Sequence, residues 1–453
     1  MGGGISGLSA SYYLNKAGIR PSLIETAPRL GGVIQTQTVE GCTLEGGPDS
    51  FLAVKPAAVE LIREVGLGDE VIGSNDELRT TYILRRGKLE PLPDGMMMMI
   101  PTKIMPVVKS NLLGWGTKIK MGLEYFRRPS KHEDRSVRDF LVDHYGQESV
   151  DYLAEPLLAG VYGGDPGELS VNSVLTRFVE LESKYGSLTR AVLSQPRPKG
   201  SGPLFRTLKR GLSDLIDALT PSADVVHGTA EMIERTEEGY RVRVNGDWME
   251  ASAIVLAIRA YQAAELLKPF DPVVADLLHQ VPYTSSLTFS IGYRKSDVER
   301  LPAGHGFLVP KRERKHVKAC TFVARKFNYR VPDHLVVLRC FMSGHALDES
   351  DASLLQIARE ELRAIIGLNA EPLFHTIHRW PGAMAQYTVG HGKRIDEVRA
   401  RVSRLSGMHV IGNAFDGIGI PDCIRLGKQA AQQLSNAQAK PPAAPVKIEF
   451  LSK

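Results

Sequence analysis

Gly2-Gly3-Gly4-Ile5-Ser6-Gly7 is the stretch that decides the fold, because its glycines at positions 2, 4 and 7 fit the pattern G-x-G-x-x-G. In this pattern the first glycine permits a tight turn, the second lets backbone approach a pyrophosphate, and the third allows close helix-to-sheet packing. The helix that follows, predicted to run to about Ala17, directs unpaired N–H groups at phosphate. The sequence therefore predicts an α/β, Rossmann-like dinucleotide-binding fold, with these residues at the cofactor: Gly2, Gly4, Ile5, Ser6 and Gly7.

A predicted strand, Ser22–Glu25, ends in an acid 18 residues after Gly7. A carboxylate at this position accepts hydrogen bonds from ribose hydroxyls and disfavours a 2′-phosphate. Arg29, Gly31 and Gly32 complete the pattern E-x-x-x-R-x-G-G, an extension that is typical of FAD enzymes of the amine-oxidase type and absent from plain NAD dehydrogenases. The glycine pair lets backbone pass close to a ligand. The predicted cofactor is therefore FAD, held also by Glu25, Arg29, Gly31 and Gly32.

A second glycine-rich corner lies near the other end of the chain, after a predicted strand at His409–Ile411. It leads into a helix that opens with Pro421 and carries Asp422 in its first turn. The positive N-terminus of such a helix would stabilise the negative charge of a reduced flavin, although a purely structural corner would have the same pattern. We predict cofactor contacts here from Gly412, Gly417, Ile418, Gly419 and Ile420. Because the two corners lie so far apart in sequence, the cofactor domain is predicted to be discontinuous.

The start of the sequence conflicts with the glycine loop. Such a loop normally follows a buried strand, but only Met1 precedes Gly2. We therefore expect the first strand of the parallel sheet to be missing from this sequence, as a start codon assigned too late or a truncated gene would cause. In that case both FAD affinity and stability should suffer.

The bulk composition is that of a globular enzyme. With 453 residues the chain suits two or three domains, and its 43% apolar and 24% charged residues are ordinary for a water-soluble protein. No apolar run approaches a membrane span, and no secretory signal is visible, so a cytoplasmic location is expected. The four scattered cysteines lack metal-type spacing and indicate reduced thiols, and no metal site is predicted.

The net charge of +5 is concentrated in one segment. Between Pro101 and His132 seven basic residues accompany a single acid, Glu124, which argues against a general nucleic-acid binder. Lysines mix there with apolar residues and Trp115, a composition that suits an interfacial helix on anionic lipid. A helix packed over a substrate tunnel would have the same pattern. Peripheral membrane contact through residues 96–131, at the inner face of the cell membrane, is therefore one of two open interpretations.

Longer motifs carry a resemblance to a known family. They are EGGPDSFLAVK (Glu45–Lys55), EPLLAGVYGGDPGELS (Glu155–Ser170), GFLVP (Gly306–Pro310), RWPGAMAQYTVGH (Arg379–His391) and GNAFDGIGIPDCI (Gly412–Ile424). With the two glycine corners, they make the sequence resemble the oxygen-dependent protoporphyrinogen oxidases, including their bacterial coproporphyrinogen III oxidase branch, within the flavin amine oxidase superfamily.

The resemblance implies a domain arrangement and further cofactor contacts. FAD-binding segments are expected at 1–55, 203–268 and 386–437, a helical membrane- or active-site-forming domain at 56–200, and a mixed-sheet substrate domain at 269–385. The residues from 438 to 453 are expected to be a disordered tail. Glu231 stands where an apolar residue of the family usually offers backbone to adenine. The further cofactor contacts that the resemblance implies are Gly47, Pro48, Asp49, Ser50, Glu231 and Trp380.

The resemblance also implies the chemistry. A porphyrinogen would lose hydrogens to a non-covalently bound flavin, and dioxygen would reoxidise the flavin with release of hydrogen peroxide, in heme biosynthesis. Because the cofactor carries this chemistry, no catalytic side chain is predicted. The backbone of Gly160 is expected near the macrocycle, and Lys55 and Arg79 are candidate partners for its propionate arms, although a solvated surface charge is the alternative for both. A homodimer is left open.

Two further residues near the predicted flavin site, His391 and Cys423, each allow two interpretations. His391 could relay a proton, but a structural histidine is the more common outcome. Cys423 could form a covalent flavin thioether, but its place inside a helix favours core packing. The open alternatives for function are another flavin amine oxidase or desaturase, and a flavin- or porphyrin-binding protein without catalysis.

Overall fold

The structure is a computed structural model that describes residues 1–194, 202–298 and 300–438. The predicted disordered tail therefore lies almost wholly outside the described residues. Elsewhere the structure has mixed helix and sheet content, and the predicted fold class is confirmed: a dinucleotide-binding α/β unit, a mixed-sheet unit and a helical unit.

The helices are α1 (Ile5–Lys16), α2 (Ala57–Glu64), α3 (Ile104–Lys109), α4 (Trp115–Leu123), α5 (Val137–Tyr145), α6 (Gln147–Ser149), α7 (Glu155–Val161), α8 (Val171–Val174), α9 (Thr176–Tyr185), α10 (Leu188–Ser194), α11 (Ser213–Leu219), α12 (Ala260–Leu267), α13 (Pro272–His279), α14 (Val323–Lys326), α15 (Asp351–Ile366), α16 (His391–Val402) and α17 (Ile420–Gln438).

The strands are β1 (Ser22–Glu25), β2 (Thr36–Val39), β3 (Cys42–Glu45), β4 (Phe51–Leu52), β5 (Val71–Gly73), β6 (Thr81–Arg85), β7 (Lys88–Pro91), β8 (Met96–Met97), β9 (Ile100–Pro101), β10 (Phe205–Leu208), β11 (Asp224–His227), β12 (Ala230–Arg235), β13 (Tyr240–Val244), β14 (Asp247–Ala251), β15 (Ile254–Leu256), β16 (Tyr283–Arg294), β17 (Gly306–Leu308), β18 (Val317–Phe322), β19 (Leu335–Ser343), β20 (Phe374–Ala385) and β21 (Met408–Val410).

Two parallel strand pairs form the sheet of the dinucleotide-binding unit. β1 pairs with β11, and β15 pairs with β21. Met1 and Gly2 lie between the pairs: the Met1 amino group donates to the Val255 carbonyl at 2.8 Å, and the Gly2 N–H donates to the Ile24 carbonyl at 2.8 Å. Both pairs therefore direct their carboxyl ends, where ligands bind in such sheets, to the same side as the glycine loop.

The first and last helices of this unit pack directly on each other. A side chain at Gly427 of α17 would lie 2.6 Å from the Ser6 carbonyl of α1, so only glycine allows this approach. The apolar side chains of α1, α2, α11 and α17 share one buried core, in which Leu8, Leu61, Leu215 and Ile424 have no exposed surface. Residues from both ends of the sequence thus form one folded unit, as the two corners predicted.

A seven-stranded mixed sheet forms the second unit, in the order β20-β16-β19-β18-β17-β6-β7. α15 covers one face through an apolar core that includes Phe289, Leu338 and Leu354. The prediction of a mostly helical region from residue 56 is wrong between residues 71 and 101, because β6 and β7 lie there and join this sheet. β6 pairs in parallel with β17, with Thr81 opposite Gly306, which lies 225 residues later in the sequence. No local sequence pattern reveals this pairing.

Helices α3 to α10 form the third unit around a separate buried core that includes Phe140, Tyr145 and Leu153. Its outer surface is unusually apolar: Trp115, Ile119, Leu123 and Phe126 are between 60% and 74% exposed. Within the described part of the chain, no helix is both long enough and apolar enough to cross a bilayer.

Candidate functional site

The glycine loop has the geometry of a dinucleotide cradle. A side chain at Gly2 would lie 2.5 Å from the Ala257 carbonyl, and one at Gly7 would lie 2.0 Å from the Gly2 carbonyl, so the turn can form only with glycine at both positions. A side chain at Gly4, in contrast, would meet no protein atom within 4 Å. The space above Gly4 is therefore open at the start of α1, which has no side-chain cap and no acid in its first turn. Ile5 and Ser6 form that first turn and are buried.

Glu25 and Arg29 have different roles in the structure. The Glu25 carboxylate lies at the end of β1 and accepts hydrogen bonds from the N–H groups of Gly3 (2.6 Å) and Ala27 (2.7 Å), which orient it beside the glycine loop. The Arg29 guanidinium donates to the backbone carbonyls of Leu30, Gly32 and Ile34 at 2.6 to 3.1 Å. Arg29 thus holds the turn at Gly31 and Gly32, and the N–H of Gly31 donates to the Gly3 carbonyl at 2.7 Å.

The loop from Gly46 to Ser50 packs against that turn. A side chain at Gly47 would lie 1.8 Å from the Val33 carbonyl, so the two loops touch backbone to backbone, and Pro48 follows directly. The Trp380 indole N–H donates to the Gly46 carbonyl at 2.8 Å, and the Thr288 hydroxyl donates to the same oxygen. β16 and β20 of the mixed sheet therefore fix the position of this loop.

Asp49 lies in a largely buried ion-pair cluster. Its carboxylate contacts the Lys326 ammonium at 2.8 and 2.9 Å and the Arg339 guanidinium at 3.4 Å, and it accepts from the Ser50 hydroxyl at 2.6 Å. Burial alone would raise the pKa of Asp49, but Lys326 and Arg339 outweigh it and hold the pKa well below its usual range. Asp49 and Ser50, predicted as cofactor contacts, are placed as anchors of the loop, and whether they also touch the cofactor stays a prediction.

The second corner is held by a tyrosine. The Tyr387 hydroxyl donates to the Asn413 carbonyl at 2.8 Å and accepts from the Gly417 N–H at 2.8 Å, so it joins the two sides of the turn between β21 and α17. Gly412 lies against the Ile258 carbonyl, the same segment that contacts Gly2. The corner residues Ile418, Gly419 and Ile420 follow directly and lead into α17. Both predicted corners thus meet at residues 257–258.

Lys55 is placed at this corner with an acidic partner. Its ammonium lies 2.6 Å from the Asp422 carboxylate in the first turn of α17. A side chain at Gly417 would overlap the Asp422 carboxyl group at 2.4 Å, which explains the glycine. Lys55 is therefore close to the predicted flavin end but already paired, and its predicted role toward a substrate propionate stays a prediction.

Gly160 lies at the end of α7 beside this corner. A side chain there would have only the Leu308 side chain within 4 Å, at 3.9 Å, so the backbone of Gly160 faces open space above β17. The next aromatic residue, Tyr162, contacts the Tyr387 ring at 6.5 Å between centroids. Burial, with a contribution from Asp422, raises the pKa of Tyr162 to about 12, so its phenol is neutral near pH 7. The end of α7 and the second corner thus bound one space.

The remaining predicted residues lie further out. Arg79 is two-thirds exposed and pairs with Asp94 at 3.4 Å, which Lys103 also contacts, and its predicted substrate role stays a prediction. Glu231 is the extra residue of a bulge in β12, since Ala230 pairs with Val244 and Met232 with Arg243. Its backbone is therefore outside the strand ladder, as a backbone contact to adenine requires, while its side chain pairs with Arg243 at 3.2 Å.

An open cavity of about 460 Å³ lies beside β1 and β11. It is lined by Thr26, Pro28, His227, Gly228, Thr229 and Asn245.

Cys423 and His391 are both buried. The Cys423 thiol lies in the core between α17 and α1, where burial raises its pKa to about 11, an environment that favours the neutral thiol. The His391 ring stacks on the Tyr387 ring at 4.0 Å, and burial lowers its pKa to about 4. A neutral ring that supports Tyr387 fits the structural alternative for His391.

The residues present fit a dinucleotide flavin. Gly2 and Gly7 close the turn, and Gly4 and the uncapped start of α1 leave room and N–H groups for a pyrophosphate. Glu25 lies beside this loop at the end of β1, where the sequence predicts a ribose contact, and α17 begins at the second predicted corner. Sequence reasoning missed Lys326, Arg339 and Tyr387, which hold this cradle. Only Tyr387 had a signal, since it lies inside the quoted motif RWPGAMAQYTVGH; the two cations lie in strands or short helices without any motif.

Over residues 5–435 the chain matches the family described as flavin containing amine oxidoreductase. Coproporphyrinogen III oxidase of Bacillus subtilis (strain 168) is 32% identical, over 95% of this chain and 96% of that protein. The enzyme of the same name from Propionibacterium freudenreichii subsp. freudenreichii is 33% identical, over 98% of this chain and 92% of that protein. A crystal structure from Exiguobacterium sp. 255-15, provisionally named a protoporphyrinogen oxidase, has a TM-score of 0.86 and 31% identity, and the alignment covers 96% of this chain and 98% of that one.

A putrescine oxidase structure, at 18% identity and a TM-score of 0.69, shares the fold, and its alignment covers 96% of this chain and 97% of that one. The expected oxidoreductase class and FAD are both confirmed. Because the family match spans nearly the whole chain, this protein belongs to the flavin-containing amine oxidoreductases.

Proposed function

We propose that this protein oxidises a porphyrinogen, coproporphyrinogen III, to the corresponding porphyrin with dioxygen as electron acceptor and hydrogen peroxide as product, in heme biosynthesis. The observation that carries the proposal is the open backbone at Gly160, above Leu308 and beside the second corner. A flat macrocycle could lie there without meeting a side chain from α7. The bacterial relatives named coproporphyrinogen III oxidase, at 32% and 33% identity, support this substrate.

FAD, when bound, would supply a hydride acceptor for a saturated meso carbon, and three rounds with three dioxygen molecules would remove six hydrogens as three hydrogen peroxide molecules. The residues of the chain would bind and orient the cofactor and the substrate. The start of α17, next to the turn that Tyr387 holds, would present its positive helix end to the negative charge of a reduced flavin. Tyr162 and Tyr387 stay neutral, since burial raises the pKa of both. We infer no side-chain base in this site.

The test is turnover of coproporphyrinogen III by purified, FAD-loaded protein, followed by porphyrin fluorescence and by peroxide formation. We expect both signals, with faster turnover than for protoporphyrinogen IX. Gly160→Leu should fill the open space and abolish turnover while retaining FAD, whereas Gly392→Leu, at an exposed position of α16, should leave turnover intact. Turnover of an amine without a gain in porphyrin fluorescence would refute the proposal.

We also propose that the protein is cytoplasmic and contacts the inner face of the cell membrane through residues 96–131. Trp115, Ile119 and Leu123 repeat every four residues and form one exposed apolar stripe along α4. Phe126 extends the stripe at 74% exposure, and exposed apolar residues of α3, Ile104 and Met105, add to it. The seven basic residues of this segment complement anionic headgroups.

Flotation with phosphatidylglycerol vesicles tests the membrane contact. We expect binding that weakens with salt and that falls strongly in the double variant Trp115→Ser, Phe126→Ser. Trp248→Ser, which replaces a tryptophan of β14 that is 40% exposed, is the control and should bind the vesicles as well as the unsubstituted protein does. Equal flotation of the double variant and the control would exclude this surface.

A further inference from the structure

Lys318 is a partly buried lysine whose charge is not neutralised by the residues around it. It is the extra residue of a bulge in β18, since Val317 pairs with Met342 and Ala319 with Phe341. Bulges often redirect a side chain near a functional site. Among the residues that the structure describes, no carboxylate lies within ion-pair distance of the Lys318 ammonium.

Three of the four lysines and arginines that precede Lys318 in this segment have acidic partners, and the fourth, Lys315, is exposed to solvent. Lys311 pairs with Asp165 at 3.0 Å, Arg312 with Asp151 at 3.4 Å, and Arg314 with Glu155 at 2.8 Å. Lys318 therefore differs from these four residues, because it is partly buried and has no carboxylate from the described ranges at ion-pair distance.

The side chain of Lys318 lies on the face of the sheet that α7 covers. It interacts electrostatically with Glu155 in the first turn of α7 and with Arg314. The Glu155 carboxylate is already occupied, because it accepts from the Arg314 guanidinium and from the Lys311 N–H, each at 2.8 Å. Burial, reinforced by Arg314, lowers the pKa of Lys318, and Glu155 opposes the shift only in part.

The same face contains the space beneath Gly160. Leu308, the side chain closest to Gly160, pairs with Ala319, the residue next to Lys318, and the Lys318 carbonyl accepts from the Val309 N–H at 2.8 Å. A partly desolvated cation thus lies at the edge of an apolar space. A large apolar ligand with an anionic arm matches both properties.

We propose that Lys318 binds one carboxylate arm of the substrate and so helps to determine specificity. This inference rests on the proposed function, because a porphyrinogen has a flat apolar ring with carboxylate arms. In this role Lys318 would hold one edge of the ring beneath α7.

The experiment compares Lys318→Met, Lys318→Arg and Lys315→Met in the FAD-loaded protein. Lys315 lies in the same segment, is exposed, and serves as the control. Binding of coproporphyrin III and of its uncharged tetramethyl ester is measured by porphyrin fluorescence, and KM and kcat are measured with coproporphyrinogen III. Lys318→Met should weaken binding of the acid and raise KM by about tenfold, the loss expected for one charge-assisted hydrogen bond, with kcat within about twofold.

The ester separates this role from a structural one. We expect the ester to bind equally to all variants, and Lys318→Arg to restore binding of the acid. An equal loss for acid and ester, or no loss for either, overturns the role of Lys318. If the unsubstituted protein turns over coproporphyrinogen III but Lys318→Met behaves like Lys315→Met, the inference fails alone. If the unsubstituted protein binds neither porphyrin and turns over no porphyrinogen, the proposed function fails.

Discussion

Replacing Asp49 by asparagine should destabilise the fold rather than directly weaken a cofactor contact. The Asp49 carboxylate is 18% exposed and faces Lys326 and Arg339, whose side chains are 15% and 4% exposed. Asp49→Asn leaves both cations without their counter-charge in a largely buried site. Removal of one partner of a buried pair costs ~3–5 kcal/mol, which partial exposure reduces here to about 2–4 kcal/mol.

The measurement is the thermal unfolding midpoint of the apo protein, together with the FAD dissociation constant. For a chain of this length, unfolding as one unit, Tm should fall by roughly 1 °C per kcal/mol. The double variant Asp49→Asn, Lys326→Met should recover part of the loss, because it removes one of the uncompensated cations. Lys16→Met, which breaks an exposed pair with Glu64, is the matched control and should change Tm little.

The pH dependence gives a second readout. The folded-state pKa of Asp49 is depressed, so its stabilisation is fully present above the unfolded-state value near ~4 and is lost as pH falls through the folded-state pKa. The Tm difference between the original protein and Asp49→Asn should therefore be constant from pH 8 to pH 5 and narrow in stronger acid. An unchanged Tm combined with a tenfold loss of FAD affinity would refute the reasoning and make Asp49 a cofactor ligand.

Three further outcomes follow from the site. Gly4→Ala should leave the Tm of the apo protein unchanged, because the added methyl group meets no protein atom within 4 Å. The same variant should lose bound FAD, measured as the absorbance near 450 nm of the purified protein. Retained flavin would exclude Gly4 from the cradle. Burial lowers the pKa of His391 to about 4, from an ordinary value of ~6.5, so its contribution to the free energy of unfolding is full above pH 6.5 and falls by about 3 kcal/mol toward pH 4. His391→Phe should therefore reduce the decline in Tm over this pH range. A decline equal to that of the unsubstituted protein would contradict the assignment. Acid precipitation should release all the flavin into the supernatant, since the Cys423 thiol is buried between α17 and α1; flavin that stayed in the pellet would indicate a covalent bond.

Sequence patterns predicted those parts of the fold that depend on neighbouring residues. The helix after the glycine loop runs over Ile5–Lys16, and the predicted strand Ser22–Glu25 has the bounds that the structure shows. Glycine periodicity and strand length are local properties, so they could be read without knowledge of the rest of the chain.

Features that depend on distant partners could not be predicted. Thr81–Arg85 forms a strand because it pairs with β17, far along the chain, and its own sequence does not specify that partner. The sequence around Lys55 indicates no partner for its ammonium group, because Asp422 lies 367 residues away and only the tertiary fold brings the two side chains together. The partners of Asp49 lie 277 and 290 residues away and belong to no motif. Charge partners that are set by the tertiary fold are invisible to pattern and composition.

The contact between α1 and α17 through Gly427 has a consequence for biosynthesis. The ribosome makes α1 about 400 residues before α17, and the predicted flavin cradle includes both helices. We therefore expect that a nascent chain binds no FAD until residues 420–438 have left the exit tunnel. Yellow colour on the protein would then mark chains whose translation has passed this point, and truncated products would emerge colourless.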